Sequence, residues 1–219
     1  RILLLEDDLV LGNHYVETVF KISDWASEHD DVGTVTAYNI NNSTLEDQSK
    51  QDSHIIATNR HFWGYVITKT VWDEIKHIIY QFEAKFLTNS SYTNRAHRRI
   101  RWLFMAKWIN KKRILKSKNL VPEHCQTPPF PRIPFQIATS QDAITALALW
   151  HHGYHRITTR VSRAEYIGVE GYSFSPEVYN SQGFNSQNLT DYTQIQTPQE
   201  FVFVDTDEQG KPIKPTPYR

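Results

Sequence analysis

Ile2-Leu3-Leu4-Leu5-Glu6-Asp7-Asp8 is the stretch whose reading decides the fold. Four consecutive aliphatic residues read as a strand covered on both faces, the habit of a central strand in an α/β sheet, because a half-exposed strand alternates apolar and polar side chains. Such a strand needs neighbours on both edges, so the expectation is that further strands precede it in a longer protein. It runs straight into three carboxylates. In open α/β sheets ligands sit outside the carboxyl ends of the strands, which places residues 6–8 at the mouth of a site.

Outward from that strand, apolar spacing predicts a helix over about 13–28, with Val16, Val19, Phe20, Ile22 and Trp25 recurring at helical intervals. Val32–Ala37 reads as a second buried strand, 39–54 as a polar loop, Ile55–Thr58 as a short strand and Tyr65–Thr68 as another. Lys69–Phe86 is predicted helical, with Val71, Ile75, Ile78, Ile79 and Phe82 on one side. Residues 95–115 are basic and aromatic, with Arg98, Arg99, Arg101, Trp102 and Trp108, and read as a helix with a solvated cationic face. Prolines 122, 128, 129, 131 and 134 exclude a regular helix or central strand over 121–135. A helix over Ser140–His152 is expected, capped by Ser140 and closed by Gly153. Arg156–Thr159 follows as a strand, 161–171 as irregular chain, and Pro176–Gln182 as a helical turn. Residues 1–185 are taken as one domain and 186–219 as an extended polar tail. Strands alternating with helices predict an α/β sandwich with a mostly parallel sheet.

Composition narrows the class. Lys plus Arg and Asp plus Glu both number 24, so no global charge draws the chain to nucleic acid or anionic membrane. The single cysteine, Cys125, excludes an internal disulfide. No apolar run is long enough to span a bilayer.

Four segments carry candidate chemistry. Glu6, Asp7 and Asp8 repel one another unless a hard cation or hydrogen-bond donors neutralise them. Mg²⁺ and Mn²⁺ favour one or two carboxylates together with phosphate oxygens. The competing reading is a solvated acidic turn. In Ser140-Gln141-Asp142 the acid lies in the first turn of a helix, where the dipole stabilises it; it serves either that structural end or as a general base. Arg163, in a loop with Gly168 and Gly171, either holds a phosphate or makes a structural pair. Phe62-Trp63-Gly64-Tyr65 forms either an aromatic floor for a sugar or part of the core. His151, His152 and His155 cluster without a zinc-ligand spacing, and no phosphate-binding glycine loop is present.

In this order the motifs resemble those of the GT-A-fold, Rossmann-like glycosyltransferases, most closely the N-acetylglucosaminyltransferase I-like group and related bacterial family 2-type enzymes. Ile2 to Leu9 resembles their metal-binding strand with its DxD motif in the form Glu-Asp-Asp. His61 to Trp72 resembles the acceptor-side segment, Ser140-Gln141-Asp142 the segment of the catalytic Asp, and Val161-Ser162-Arg163 through Gly171 the closing loop. The resemblance implies Asp8 as the direct ligand of Mn²⁺ or Mg²⁺, with Glu6 and Asp7 on the ribose or metal-bound water. It implies Asp142 as the base of an inverting displacement and Arg163 on the diphosphate. Trp63, Gly64, Tyr65 and Gln141 would shape the acceptor side. The implied partners are a nucleotide diphospho-sugar donor and a carbohydrate or glycoconjugate acceptor. The implied location is cytoplasmic and membrane-peripheral or, alternatively, the Golgi lumen. Two departures stand out: the uridine-binding half that precedes the DxD strand lies outside this sequence, and Gly171-Tyr172-Ser173-Phe174 replaces a Gly-x-His pattern. A non-catalytic sugar-binding module and a nucleotidyltransferase are the alternative readings.

Overall fold

The computed structural model describes residues 1–41, 43–59, 62–87, 95–103, 113–126, 139–170, 175–186, 197–207, 209, 211 and 213. Its elements are β1 (Ile2–Leu4), β2 (Leu9–Leu11), α1 (Tyr15–Ala26), β3 (Val32–Thr36), α2 (Leu45–Ser49), β4 (His54–Ala57) and β5 (Tyr65–Ile67). They continue with α3 (Lys69–Phe86), α4 (His97–Leu103), α5 (Gln141–His151), β6 (His155–Thr159), β7 (Ala164–Tyr166), α6 (Pro176–Ser181) and β8 (Val202–Phe203). A six-stranded sheet has the order β1-β5-β3-β6-β4-β8, and β2 and β7 form a separate antiparallel ladder.

The fold is mixed α/β with helices on both faces of the sheet. Neighbouring residues of a strand point to opposite faces, and Val66 and Ile67 of β5 enter different cores. Ile67 packs with α3 and α5, through Val71, Ile75, Ile144 and Leu147. Val66 packs with Val35, Ile157 and the α1 stripe Tyr15, Val19, Ile22 and Ala26, where Tyr166, Tyr179 and Phe184 join. Side-chain caps start α3 and α5: Thr68 accepts from the Val71 amide at 3.3 Å, and Ser140, the cap expected from the sequence, accepts from the Ala143 amide at 3.2 Å. Gly153, at φ 79°, closes α5 in a conformation that side-chain-bearing residues avoid. No helix among the described residues is long and apolar enough to cross a membrane.

Several expectations are corrected. The sheet is mixed, not mostly parallel: β3–β6 and β4–β8 are parallel, whereas β1–β5, β3–β5 and β4–β6 are antiparallel. The reason is that β5 turns back between β1 and β3, a reversal that apolar runs do not encode. β1 is an edge strand of the described sheet, with Ile2 60% and Leu4 43% exposed. Leu3 alone of the strand packs against the core, and a short aliphatic run does not distinguish that from burial on both faces. The loop assigned to 39–54 contains α2, capped by Thr44 accepting from the Asp47 amide, and the irregular stretch 161–171 contains β7. The helix expected over 95–115 is described only as α4, and residues 113–115 are not helical; residues 104–112, with Trp108, lie outside the described set. The 186–219 tail is not wholly separate: β8 adds to the sheet edge beside β4, and Phe201 is buried.

Candidate active site

Strand direction assembles the site. β1 and β3 both run antiparallel to β5, and β6 runs parallel to β3, so β1, β3 and β6 point the same way. Leu4, Tyr65, Thr36 and Thr158 lie in one register at that end of the sheet. Glu6, Asp7 and Asp8 follow directly from β1. Because α5 runs back to the start of β6, its first turn, with Gln141 and Asp142, lies at the same end.

The carboxylates meet there. One ligand oxygen each from Glu6, Asp7 and Asp8 can be chosen so that all lie within 4.8 Å of one another. Partial burial pushes the Glu6 carboxyl above the usual range, and the charges of Asp142, Asp8 and Asp7 push it further. The Asp142 charge thus acts on Glu6 although more than half the chain separates them. Burial also raises Asp142, and the Arg156 guanidinium opposes that rise. Tyr65 faces the same charges. Burial, Asp142 and Glu6 hold its phenol up at about 12, against a lowering by Arg156. Asp8 differs from its two neighbours in being half-buried. Its Oδ1 is buried and has no hydrogen-bond partner, while the Tyr166 hydroxyl hydrogen-bonds its carboxylate.

Backbone pairing holds Asp8 in place. Its carbonyl accepts from the Ile167 amide at 2.9 Å, and the next residue, Leu9, pairs with Tyr166 across the β2–β7 ladder. A Cβ on Gly168 would collide with the Tyr166 hydroxyl and come within 2.7 Å of the Asp8 carboxylate, so glycine is needed for this approach.

Trp63 stacks on Tyr166 with ring centroids 3.9 Å apart and planes 5° apart, and Tyr38 meets Trp63 edge-on. The aromatic segment therefore takes both roles weighed for it. Phe62 is core, and partly buried Trp63 forms a wall that reaches the acidic group through Tyr166. Gly64 supports the wall without touching the acids. It sits at φ 63°, its carbonyl accepts from the Tyr15 hydroxyl, and a Cβ there would strike that hydroxyl and come within 2.8 Å of Leu9. Gln141 is exposed beside Asp142.

Arg163 is directed elsewhere. It is 1% exposed, and its guanidinium donates to the Asp52 carbonyl at 3.5 Å. The expected diphosphate contact is corrected accordingly: this cation is built into the interior, because the β7 approach turns it inward. The arginine that acts on Asp142 is Arg156, which reads in the sequence as an ordinary strand residue. It is 5% exposed, with its guanidinium 3.9 Å from the centroid of the Phe62 ring. A charged residue in a short, otherwise uncharged strand was the available signal. Gly171 to Phe174, the site of the departure from Gly-x-His, lies outside the described residues.

A groove lies at the opposite end of the sheet. It has a volume of about 540 Å³, between the end of α1 and the start of α3, and is bordered by Thr68, Glu74, Lys116 and Tyr154. Lys116 Nζ donates there to Glu74 Oε2 at 2.8 Å, and the Asp30 carboxylate accepts from the Ser117 hydroxyl at 2.6 Å. The carboxylate end, where like charges converge, is therefore the candidate for chemistry. No family model matches the chain, and no curated protein matches it in sequence.

Proposed function

We propose that this chain carries the acidic and acceptor-side part of a GT-A-type, metal-dependent glycosyltransferase, which moves a sugar from a nucleotide diphospho-sugar to a hydroxyl with inversion. The observation that carries the reading is the convergence of Glu6 and Asp142, from distant parts of the sequence, at one end of the sheet. Asp142 is the general base. It takes the proton from the acceptor hydroxyl as that oxygen attacks the anomeric carbon and the nucleoside diphosphate departs. A raised carboxyl, once ionised, is a better proton acceptor than an ordinary Asp. Asp8, with Glu6 and Asp7 beside it, suits Mn²⁺ or Mg²⁺, since its buried Oδ1 has no other partner. When bound, the cation would neutralise the charge of the leaving diphosphate. Trp63 and Tyr166 provide an aromatic wall for the sugar, and the neighbouring Gln141 offers an exposed amide.

The test is donor binding and turnover in protein containing this chain, across a panel of nucleotide diphospho-sugars with Mn²⁺ or Mg²⁺. Asp8→Ala is expected to remove metal-dependent donor binding; unchanged affinity and turnover in that variant would overturn the metal assignment. The products separate the reaction classes: nucleoside diphosphate supports glycosyl transfer, whereas pyrophosphate identifies a nucleotidyltransferase. The Trp63–Tyr166 stack also favours a second reading, a sugar-binding module without catalysis. Sugar binding by calorimetry that needs neither metal nor nucleotide, without turnover, would select it.

A further inference from the structure

Arg95, Arg98, Arg99 and Arg101 fall in a stretch, residues 95–103, that holds no Asp or Glu. The overall neutrality of the chain therefore conceals a local run of positive charge at α4. Ile100 is fully buried against the α3–α5 core and anchors the helix, while Arg98 and Arg99 are exposed and Trp102 is 67% exposed. Trp102 follows these arginines by four and three residues, so the three side chains share one helix face. Arg95, His97 and these residues line a shallow, open cleft.

An outward indole flanked by guanidinium groups combines two preferences. The indole favours the boundary between water and hydrocarbon, where its apolar body is covered and its N–H stays wet. The arginines favour a surface dense in negative charge. A nucleic-acid groove lines up successive rings for stacking bases, whereas this cleft presents one indole. We propose that the Arg98–Arg99–Trp102 face of α4 docks on an anionic lipid bilayer, with Trp102 in the headgroup layer and the arginines on lipid phosphates. His97 Nδ1 hydrogen-bonds Thr139 Oγ1, beside the Ser140 cap of α5, which ties this face to the end of α5 that carries Asp142. On the reading of Asp142 as the base, docking brings the acceptor side close to the membrane; the docking itself does not depend on that reading.

Co-sedimentation with phosphatidylcholine vesicles, with and without phosphatidylserine, tests the proposal on the intact chain. Binding is expected only to vesicles containing phosphatidylserine and weakens as salt rises. Arg98→Ala and Arg99→Ala are each expected to weaken it about fivefold, the equivalent of about 1 kcal/mol per surface arginine, with far-UV circular dichroism and the thermal midpoint unchanged. Brominated lipid quenches tryptophan emission in the parent protein, and Trp102→Phe removes the largest part of that quenching. Four results would overturn the proposal: absence of vesicle binding, equal binding to neutral vesicles, arginine variants that bind like the parent, or quenching unaltered by Trp102→Phe. Binding of a single-stranded oligonucleotide that requires Arg98 and Arg99, without vesicle binding, would assign the face to nucleic acid instead.

Discussion

Glu6 and Glu74 are the same residue type at opposite ends of one sheet, and their surroundings drive them in opposite directions. Glu6 is pushed up by partial burial and by Asp142, Asp8 and Asp7, with no cation among the groups acting on it. Burial also raises Glu74, but the hydrogen bonds of Lys116 and Tyr154 and the Lys116 charge outweigh it and hold the carboxyl below the usual range. α5 joins the two ends, with Asp142 in its first turn and His151 in its last. At the far end two histidines are pushed toward the neutral form. His152 is lowered to about 4 by burial, then by His151 and His77. His155 is lowered to about 3 by burial and by Arg113, whose guanidinium donates to its Nε2 at 2.8 Å. One end thus gathers like charges that a substrate or cation would relieve, and the other compensates its charges internally. The difference separates a site from a structural network better than burial does, since both ends bury titratable groups.

The largest expected break in this contrast is Asp142→Asn. On the proposed reading it lowers turnover by about a hundredfold to ten-thousandfold while donor affinity, measured by calorimetry, stays the same. The same variant is expected to melt higher than the parent at neutral pH, because a desolvated charge has been removed. Equal turnover would remove the base role.

The pH dependence of the thermal midpoint sharpens the contrast. For His152 and His155 the folded values, about 4 and about 3, lie below the ordinary 6.5, so the unfolded chain takes up protons first. Their stabilising contribution is complete above about pH 6.5 and is lost as the pH falls through those values. Glu6 and Asp142 are raised, so their contribution is complete below the ordinary carboxylate range and is lost as the pH rises through their folded values. Acid therefore weakens the histidine end while relieving the carboxylate end. The advantage of Asp142→Asn over the parent should shrink as pH falls; an advantage that grows in acid would contradict the raised carboxyl.

Arg156→Gln removes the charge that opposes the rise of Asp142. The acid limb of the pH–rate profile is expected to move to higher pH, and an unmoved limb would show that Arg156 does not act on the base. The smallest effect is expected from Glu74→Gln at the far end. It breaks a pair in which Glu74 is 38% exposed, so solvent screening limits the loss to about 1 kcal/mol or less in chemical denaturation, with turnover unchanged.

Much of the local structure was legible. α3 spans Lys69–Phe86 as its apolar spacing predicts, and Ser140 and Gly153 bound α5 as their chemistry requires. These features depend on residues a few positions apart. The triplet was legible as an acidic end to a strand, because strand and carboxylates are contiguous. The groups around it were not: Arg156, which acts on Asp142, lies in β6, Tyr166 hydrogen-bonds Asp8 from a ladder with Leu9 that no pattern announced, and Arg163, expected there, turned inward. Each of these depends on which strands become neighbours, and apolar periodicity records burial without recording pairing or direction.

The sequence by itself determined the helices and their caps, the α/β alternation, and the presence of the acids and aromatics from which a site can be made. Only the tertiary structure decided that β5 reverses between β1 and β3, that the end of β1 and the first turn of α5 share one end of the sheet, and that the Asp142 charge therefore acts on Glu6. The physical reason is range. Capping and helical amphipathicity are set within a turn or two of the chain, whereas the ionisation of a carboxylate is set by whatever charge folding brings near it, however far away that charge is in sequence.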